Sequence, residues 1–181
     1  MDDFYSYRIE HCEDDSFSYN FITKTNTIYA INFDLSEYVE HLQDFPALLQ
    51  NGYSFSIFCF PPEVDNIEKR KYDKKISNTI FRIILNHFSN VGTESVLLFH
   101  CDSSDNLQRC RHILFNRWFN SCSMKIDYVM ETLEVEIAKE TPVMHYLGYI
   151  TMKNNPDFAV LQEEFNSFSM HMIGSKITPL Q

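Results

Sequence analysis

The residues with the most chemical potential lie together at His100, Cys101, Asp102, Ser103, Ser104 and Asp105, with Arg109 and His112 a few positions on. They follow a short apolar run and precede an amphipathic stretch, so they fall where a strand hands over to a helix. Such corners expose backbone amides and the positive end of a helix dipole, which favour an anion. Asp102 and Asp105 bring negative charge to the same place, and Ser103, Ser104 and Asp105 are also ordinary helix-capping residues. Cys101 is a candidate nucleophile, because a helix N-terminus lowers a thiol pKa and imidazoles are near in sequence. In an extended strand, however, His100 and Cys101 point to opposite faces, so their adjacency makes no dyad, and a buried, inert cysteine is the simpler reading. Cys101, Asp102, Ser103, Ser104, Asp105, Arg109 and His112 therefore stand as ligand-binding candidates, and no residue is assigned a catalytic role. Arg109 and His112 align on one helical face, where they can hold a carboxylate or phosphate group or pair with nearby acids.

A second group, Lys69, Arg70 and Lys71, leads into a helix expected from about Asp73 and is a candidate anion site by charge alone. Metal binding finds no support. The histidines are scattered, neither H-x-x-x-H nor H-E-x-x-H occurs, and the cysteines lack ligand spacing. Glu131, Glu134 and Glu136 alternate with apolar neighbours and read as the wet face of a sheet. Trp118 sits at helical spacing and reads as core.

The elements that must position these groups follow from periodicity. Phe17, Tyr19 and Phe21 alternate with polar residues, as do Tyr29, Ile31 and Phe33, and the short link between the two runs predicts a hairpin. A helical turn or two is expected between Asp34 and Asn51, then a strand over Tyr53–Phe60. Ile76, Ile80, Ile83, Ile84 and Phe88 mark one face of a long helix. Val96–Phe99 is continuously apolar, as a strand covered on both faces must be. Asp105 and Gln108 have capping-box spacing, predicting a helix to about Asn120 with Leu107, Leu114 and Trp118 inward and Arg109, His112 and Asn116 outward. Two strands are expected within Ser123–Ile137 and Val143–Met152, broken at Thr141-Pro142. A last helix opens at Asn155-Pro156, with Phe158, Leu161, Phe165 and Phe168 on its apolar face.

The expected fold is thus α+β: one mostly antiparallel sheet of about six strands with three main helices on its faces, in the order β-β-β-α-β-α-β-β-α. Residues 1–15 form an acidic N-terminal arm or short edge element, 16–170 a single domain, and 171–181 a C-terminal tail.

Composition bounds the function classes. Of 181 residues, 25 are acidic and 15 basic, a formal charge of −10 that repels nucleic-acid phosphates and anionic lipid. The 5 cysteines are odd in number and contain no C-x-x-C pair, which fits a reducing cytoplasm. No stretch is apolar enough to span a membrane, and the acidic start lacks the features of a secretory signal.

The strings YNFITKTNTIYAINF, LLFHCDSSDNLQRCRHILFNRWF and NNP resemble those of a family of small Bacteroidetes proteins described only as a domain of unknown function. The similarity runs from about Phe17 to Phe165, its middle string is the specific part, and it implies no activity. The element order also resembles the core of GCN5-like N-acetyltransferases. That resemblance implies an acyl-CoA site at the start of the first long helix, where those enzymes carry a glycine-containing phosphate loop. Lys69 to Asn78 contains no glycine.

Two functional expectations follow. The first is a non-catalytic interaction or regulatory module that recognises a basic protein partner, without cofactor, metal, nucleic acid or membrane. The alternative is a divergent acyl-CoA-dependent acyltransferase-like enzyme or a binder of small anions.

Overall fold

Strands that alternate aromatic and small polar residues bury one face only, and in this chain they find helices to bury it against. The computed structural model describes residues 3–11, 16–34, 39–62, 72–137 and 143–175. Within them the order is β1 (Tyr7–His11), β2 (Phe17–Ile22), β3 (Ile28–Asp34), α1 (Pro46–Asn51), β4 (Gly52–Phe60), α2 (Lys74–Val91), β5 (Val96–His100), α3 (Gln108–Ser121), β6 (Tyr128–Ile137), β7 (Val143–Met152) and α4 (Phe158–Ser175). The expected α+β fold is present. Beside the main elements stand β1, where a short edge element was one expectation, and the brief α1, where a helical turn or two was expected.

The seven described strands form one sheet in the order β1-β2-β3-β4-β5-β7-β6. Every pairing is antiparallel except β4 with β5, which run parallel through Gly52↔Val96, Tyr53↔Leu97 and Ser54↔Leu98. That parallel pairing stops at Ser54 and Leu98, although β4 continues to Phe60 and β5 to His100. Val96 to Phe99 lies inside the sheet between β4 and β7 and is buried throughout, as its unbroken apolar run requires.

Side chains separate by parity into two cores. On one face Tyr19, Phe21, Ile31, Phe33 and Leu97 pack under α2 and α3, which contribute Ile80, Phe81, Ile84, Phe115 and Phe119. On the other, Val96, Leu98, Leu147 and Tyr149 pack with Leu48 of α1 and with Leu161, Phe165 and Phe168 of α4. Each such fully buried Leu, Ile or Phe contributes about 2 kcal/mol relative to exposure. α1 rests on the start of β4, and α4 lies over β6 and β7. Among the described residues no helix packs on that same face of β2, β3 and the far end of β4.

α2 begins where expected, with Asp73 as its cap accepting the Lys75 amide at 3.0 Å. It ends at Gly92, whose φ of 96° lies in the left-handed region that suits glycine. In α4 the Asn155 carboxamide accepts from the Asp157 amide at 2.9 Å, and the regular helix starts at Phe158, which is half-buried.

α3 departs from the expected register. Asp105 is not its cap: the Asp105 carboxylate accepts from Leu107 N–H two residues on, and Asn106 is left-handed with φ 61°, so the helix starts only at Gln108. Its buried residues are Gln108, Phe115 and Phe119, while Leu107 and Leu114 are exposed. β6 starts at Tyr128, because Ser123–Ile126 forms a turn of 3₁₀ helix first. The break at Thr141-Pro142 lies outside the described residues, as do residues 1–2 and 12–15 of the expected arm and the tail after 175.

Candidate functional site

β5 delivers its last residues to the start of α3, and several hydrogen bonds within the chain shape the connecting turn. Cys101 N–H donates to the Tyr146 carbonyl at 2.9 Å, extending the pairing of β5 with β7 by one step. Asp102 then folds the chain back on itself by accepting from Ser104 N–H at 3.0 Å and Ser104 Oγ at 2.7 Å. Asn106 N–H donates to the Ser103 carbonyl at 3.3 Å.

Arg111 fills the mouth of this turn. Its guanidinium donates to both Asp105 carboxylate oxygens, Nη1 to Oδ1 at 2.7 Å and Nη2 to Oδ2 at 2.5 Å, and Nη1 also reaches the Asp102 carbonyl at 2.8 Å. This two-pronged geometry suits guanidinium and carboxylate planes. The Arg111 hydrogen bonds, with that from the Leu107 amide, hold the Asp105 carboxyl down at about 2. Hydrogen bonds from Ser104 similarly lower Asp102. Both acids are ionised at neutral pH and cannot act there as proton donors.

Cys101 is buried, and burial pushes its thiol up to about 11, with Arg111 working weakly in the other direction. At neutral pH the sulfur carries its proton and is a poor nucleophile. Iodoacetamide at neutral pH is therefore expected to label exposed Cys59 and Cys110 well before Cys101, a ranking that peptide mass mapping reads directly. Modification of Cys101 first would reverse this assignment.

The other candidates separate around the turn. Arg109 lies exposed on α3 and does not join the Arg111 cluster. His112 faces the sheet rather than solvent: its ring stacks on Tyr146 at 4.5 Å between centroids, and Nε2 lies 3.4 Å from Glu134 Oε1 on β6. The Asn116 amide donates to the His112 carbonyl at 3.0 Å and lies against the ring. His100 points to the opposite face from Cys101, where its Nε2 lies 3.3 Å from Nδ1 of His145. Lys69, Arg70 and Lys71 lie outside the described residues. Among those residues no three His, Cys, Asp or Glu side chains converge as metal ligands do, and no helix is long and apolar enough to cross a membrane.

Sequence reasoning located the turn but not its main occupant. Arg111 was not among the candidates, and its role depends on the left-handed step at Asn106 bringing Asp105 back beneath it. The opposite charges six positions apart across a helix start were the available signal.

The N-terminus of α2 is built in the same way. Tyr5 O–H donates to Asp73 at 2.7 Å, and Lys24 Nζ lies 3.7 Å from the same carboxylate. Partial burial works to raise the Asp73 pKa, but the hydrogen bonds from Tyr5 and the Lys75 amide outweigh it and leave the group below its ordinary value. Lys75 in turn pairs with Asp3 at 2.8 Å. The start of α2 thus holds a carboxylate of the chain itself, where an anionic ligand would otherwise go, whereas Asp105 takes the Leu107 amide and Arg111 just ahead of α3.

Comparison with known proteins places the corner inside a family match. The sequence pattern of a family of unknown function (DUF6169) matches residues 72–167, from the start of α2 into α4. No curated protein and no solved structure matches the chain.

Proposed function

The chain belongs to that family of unknown function, and from this premise we propose that it is a non-catalytic protein-interaction module that recognises a partner with a basic face. The observation that carries the proposal is that Asp73 already caps α2, where an anionic substrate would bind, while Asp105 and Arg111 close on each other in the turn before α3. Cys101, the one nucleophile candidate at the corner, is protonated and buried.

The partner's charge is argued from β6. Among the described strands it lies at the edge, paired with β7 alone, and Glu134 and Glu136 stand exposed on it. Among the described residues neither has a lysine or arginine within ion-pair distance, and His112 is the neighbour of Glu134. Carboxylates on an edge repel a second copy of the same strand and attract a strand rich in lysine or arginine. The formal charge of −10 adds long-range steering toward a basic partner. Free thiols suit the cytoplasm as the setting.

Calorimetric titration with a lysine- and arginine-rich peptide tests the proposal, with a glutamate-rich peptide as control. Binding of the basic peptide alone is expected, weakening several-fold as salt rises to physiological strength. The double variant Glu134→Lys with Glu136→Lys should lose most of the affinity. Binding that ignores both salt and these substitutions would remove the electrostatic basis.

A second reading, an acyl-CoA-using enzyme, is favoured by the end of the β4–β5 pairing at Ser54 and Leu98, short of the corner. A rise in melting temperature with millimolar acetyl-CoA would support it over the interaction module, since a ligand of the folded state alone must stabilise that state.

A further inference from the structure

The face of β2, β3 and β4 turned away from α2 carries an apolar surface at the end remote from α1. Cross-strand register aligns Ile22, Ile28 and Phe60 in one row and Asn20, Ala30 and Phe58 in the next. Ile22, Ile28, Phe58 and Phe60 are 58%, 44%, 48% and 54% exposed, far more than a core position tolerates. The Phe58 and Phe60 rings lie stacked, 6.4 Å between centroids. Contiguous exposed apolar surface of this kind marks an interaction site.

We propose that this face is where a second copy of the chain docks, forming a two-fold symmetric dimer. The argument is one of charge. The two rows contain no ionisable side chain, in a protein whose formal charge is −10. A basic partner would find no carboxylate in them, whereas two like-charged copies can approach without opposing acids only over such a neutral strip. At the β1 end of the strip the pattern is complementary to itself. Arg8 stands beside Asn20 and Glu10 beside Ser18, two opposite charges on one face of the edge strand. Among the described residues neither has an ion-pair partner. A two-fold axis can set Arg8 of one copy against the second copy's Glu10, and the apolar rows against each other, as an isologous contact requires. This surface is on the opposite half of the sheet from β6, so the dimer and the basic-partner proposal stand or fall separately.

Sedimentation equilibrium of the full chain from low to high micromolar concentration tests it. The wild type is expected to reach twice the monomer mass. Phe58→Glu with Phe60→Glu should weaken the dimer at least about tenfold with the circular dichroism spectrum unchanged, because both rings are exposed in the monomer. Arg8→Glu should also weaken it, and Arg8→Glu with Glu10→Arg should restore it, a rescue that misfolding cannot imitate. A wild type that stays monomeric throughout, or a dimer indifferent to the Phe58 and Phe60 substitutions, overturns the proposal. Basic-peptide binding by the Phe58, Phe60 variant should not weaken.

Discussion

Replacing His87 with phenylalanine is expected to flatten the acid limb of the stability curve. His87 of α2 is fully buried, and neither ring nitrogen has a hydrogen-bond partner among the described residues. It stacks on Phe33 at 3.9 Å and meets the edges or faces of Phe17, Tyr53 and Phe88. Burial among these rings depresses its pKa from 6.5 to about 3. In the unfolded chain the imidazole takes up a proton below its ordinary pKa, whereas in the fold it stays neutral. The unfolded state therefore binds more protons between those two values, and stability falls as pH drops through that window. At about pH 5 the loss relative to neutral pH is about 2 kcal/mol, since each pH unit below the unfolded pKa is worth about 1.4 kcal/mol. Phenylalanine fills a similar slot, carries no titrating group and should change neutral-pH stability by less than about 1.5 kcal/mol. Urea midpoints of both proteins between about pH 7 and about pH 5 measure the difference. That range lies above the ordinary carboxylate value of 3.8, so the lowered Asp73, Asp102 and Asp105 do not yet contribute to the slope. A difference that does not grow as pH falls would mean that the fold admits the proton at His87.

Gly148→Ala is expected to cost about 3 kcal/mol, at the upper end of overpacking effects. Gly148 lies on β7 between β5 and β6, opposite Phe99 on one side and Thr132 on the other. A Cβ there would collide with the Phe99 ring and lie 2.8 Å from the main-chain oxygen of Glu131. Strands bonded on both edges cannot move apart, so Phe99 must turn, and it is wedged against Phe115 at 5.2 Å and Phe55 at 6.5 Å. For a chain of this size the cost corresponds to a melting temperature lower by about 10 °C. Gly92→Ala is the contrasting control. Nothing lies within 4 Å of its Cβ, and only the left-handed φ is strained, at about 1 kcal/mol. Adding Phe99→Leu should recover part of the Gly148→Ala loss, because the ring is one of the two obstacles. Equal costs at the two glycines would show that the sheet relaxes around β7.

Both predictions rest on features that periodicity does not report. The spacing of Ile76, Ile80, Ile83 and Ile84 announced α2 and its inner face, and the alternation of Phe17, Tyr19 and Phe21 announced β2, because burial of one face imposes those periods. His87 shares the buried side of α2, yet its type alone suggests a polar surface residue. Only the rings of β2, β3 and β4 closing over it make it neutral and acid-sensitive. Gly148 reads as an ordinary break in an apolar strand until β7 is inserted between β5 and β6. The turn at Asp102 to Asp105 was legible from its residue types, but α3 starts later than the capping pattern implied. Its inner face accordingly carries Phe115 and Phe119 instead of Leu114.

The amino-acid sequence by itself determined which segments become strands and helices, where the central strand lies, and that a polar turn follows it. Those properties depend on neighbours a few residues away, whose spacing records burial directly. Tertiary structure decided which groups meet: Arg111 in the mouth of its turn, His112 on Tyr146, and the α1 amide of Leu48 on the Glu164 carboxylate at 2.9 Å. It also decided that the apolar rows of β2, β3 and β4 receive no helix among the described residues. A residue's spacing encodes that it must be covered but not by what, and the identity of the cover is settled only when distant strands take their order in the sheet.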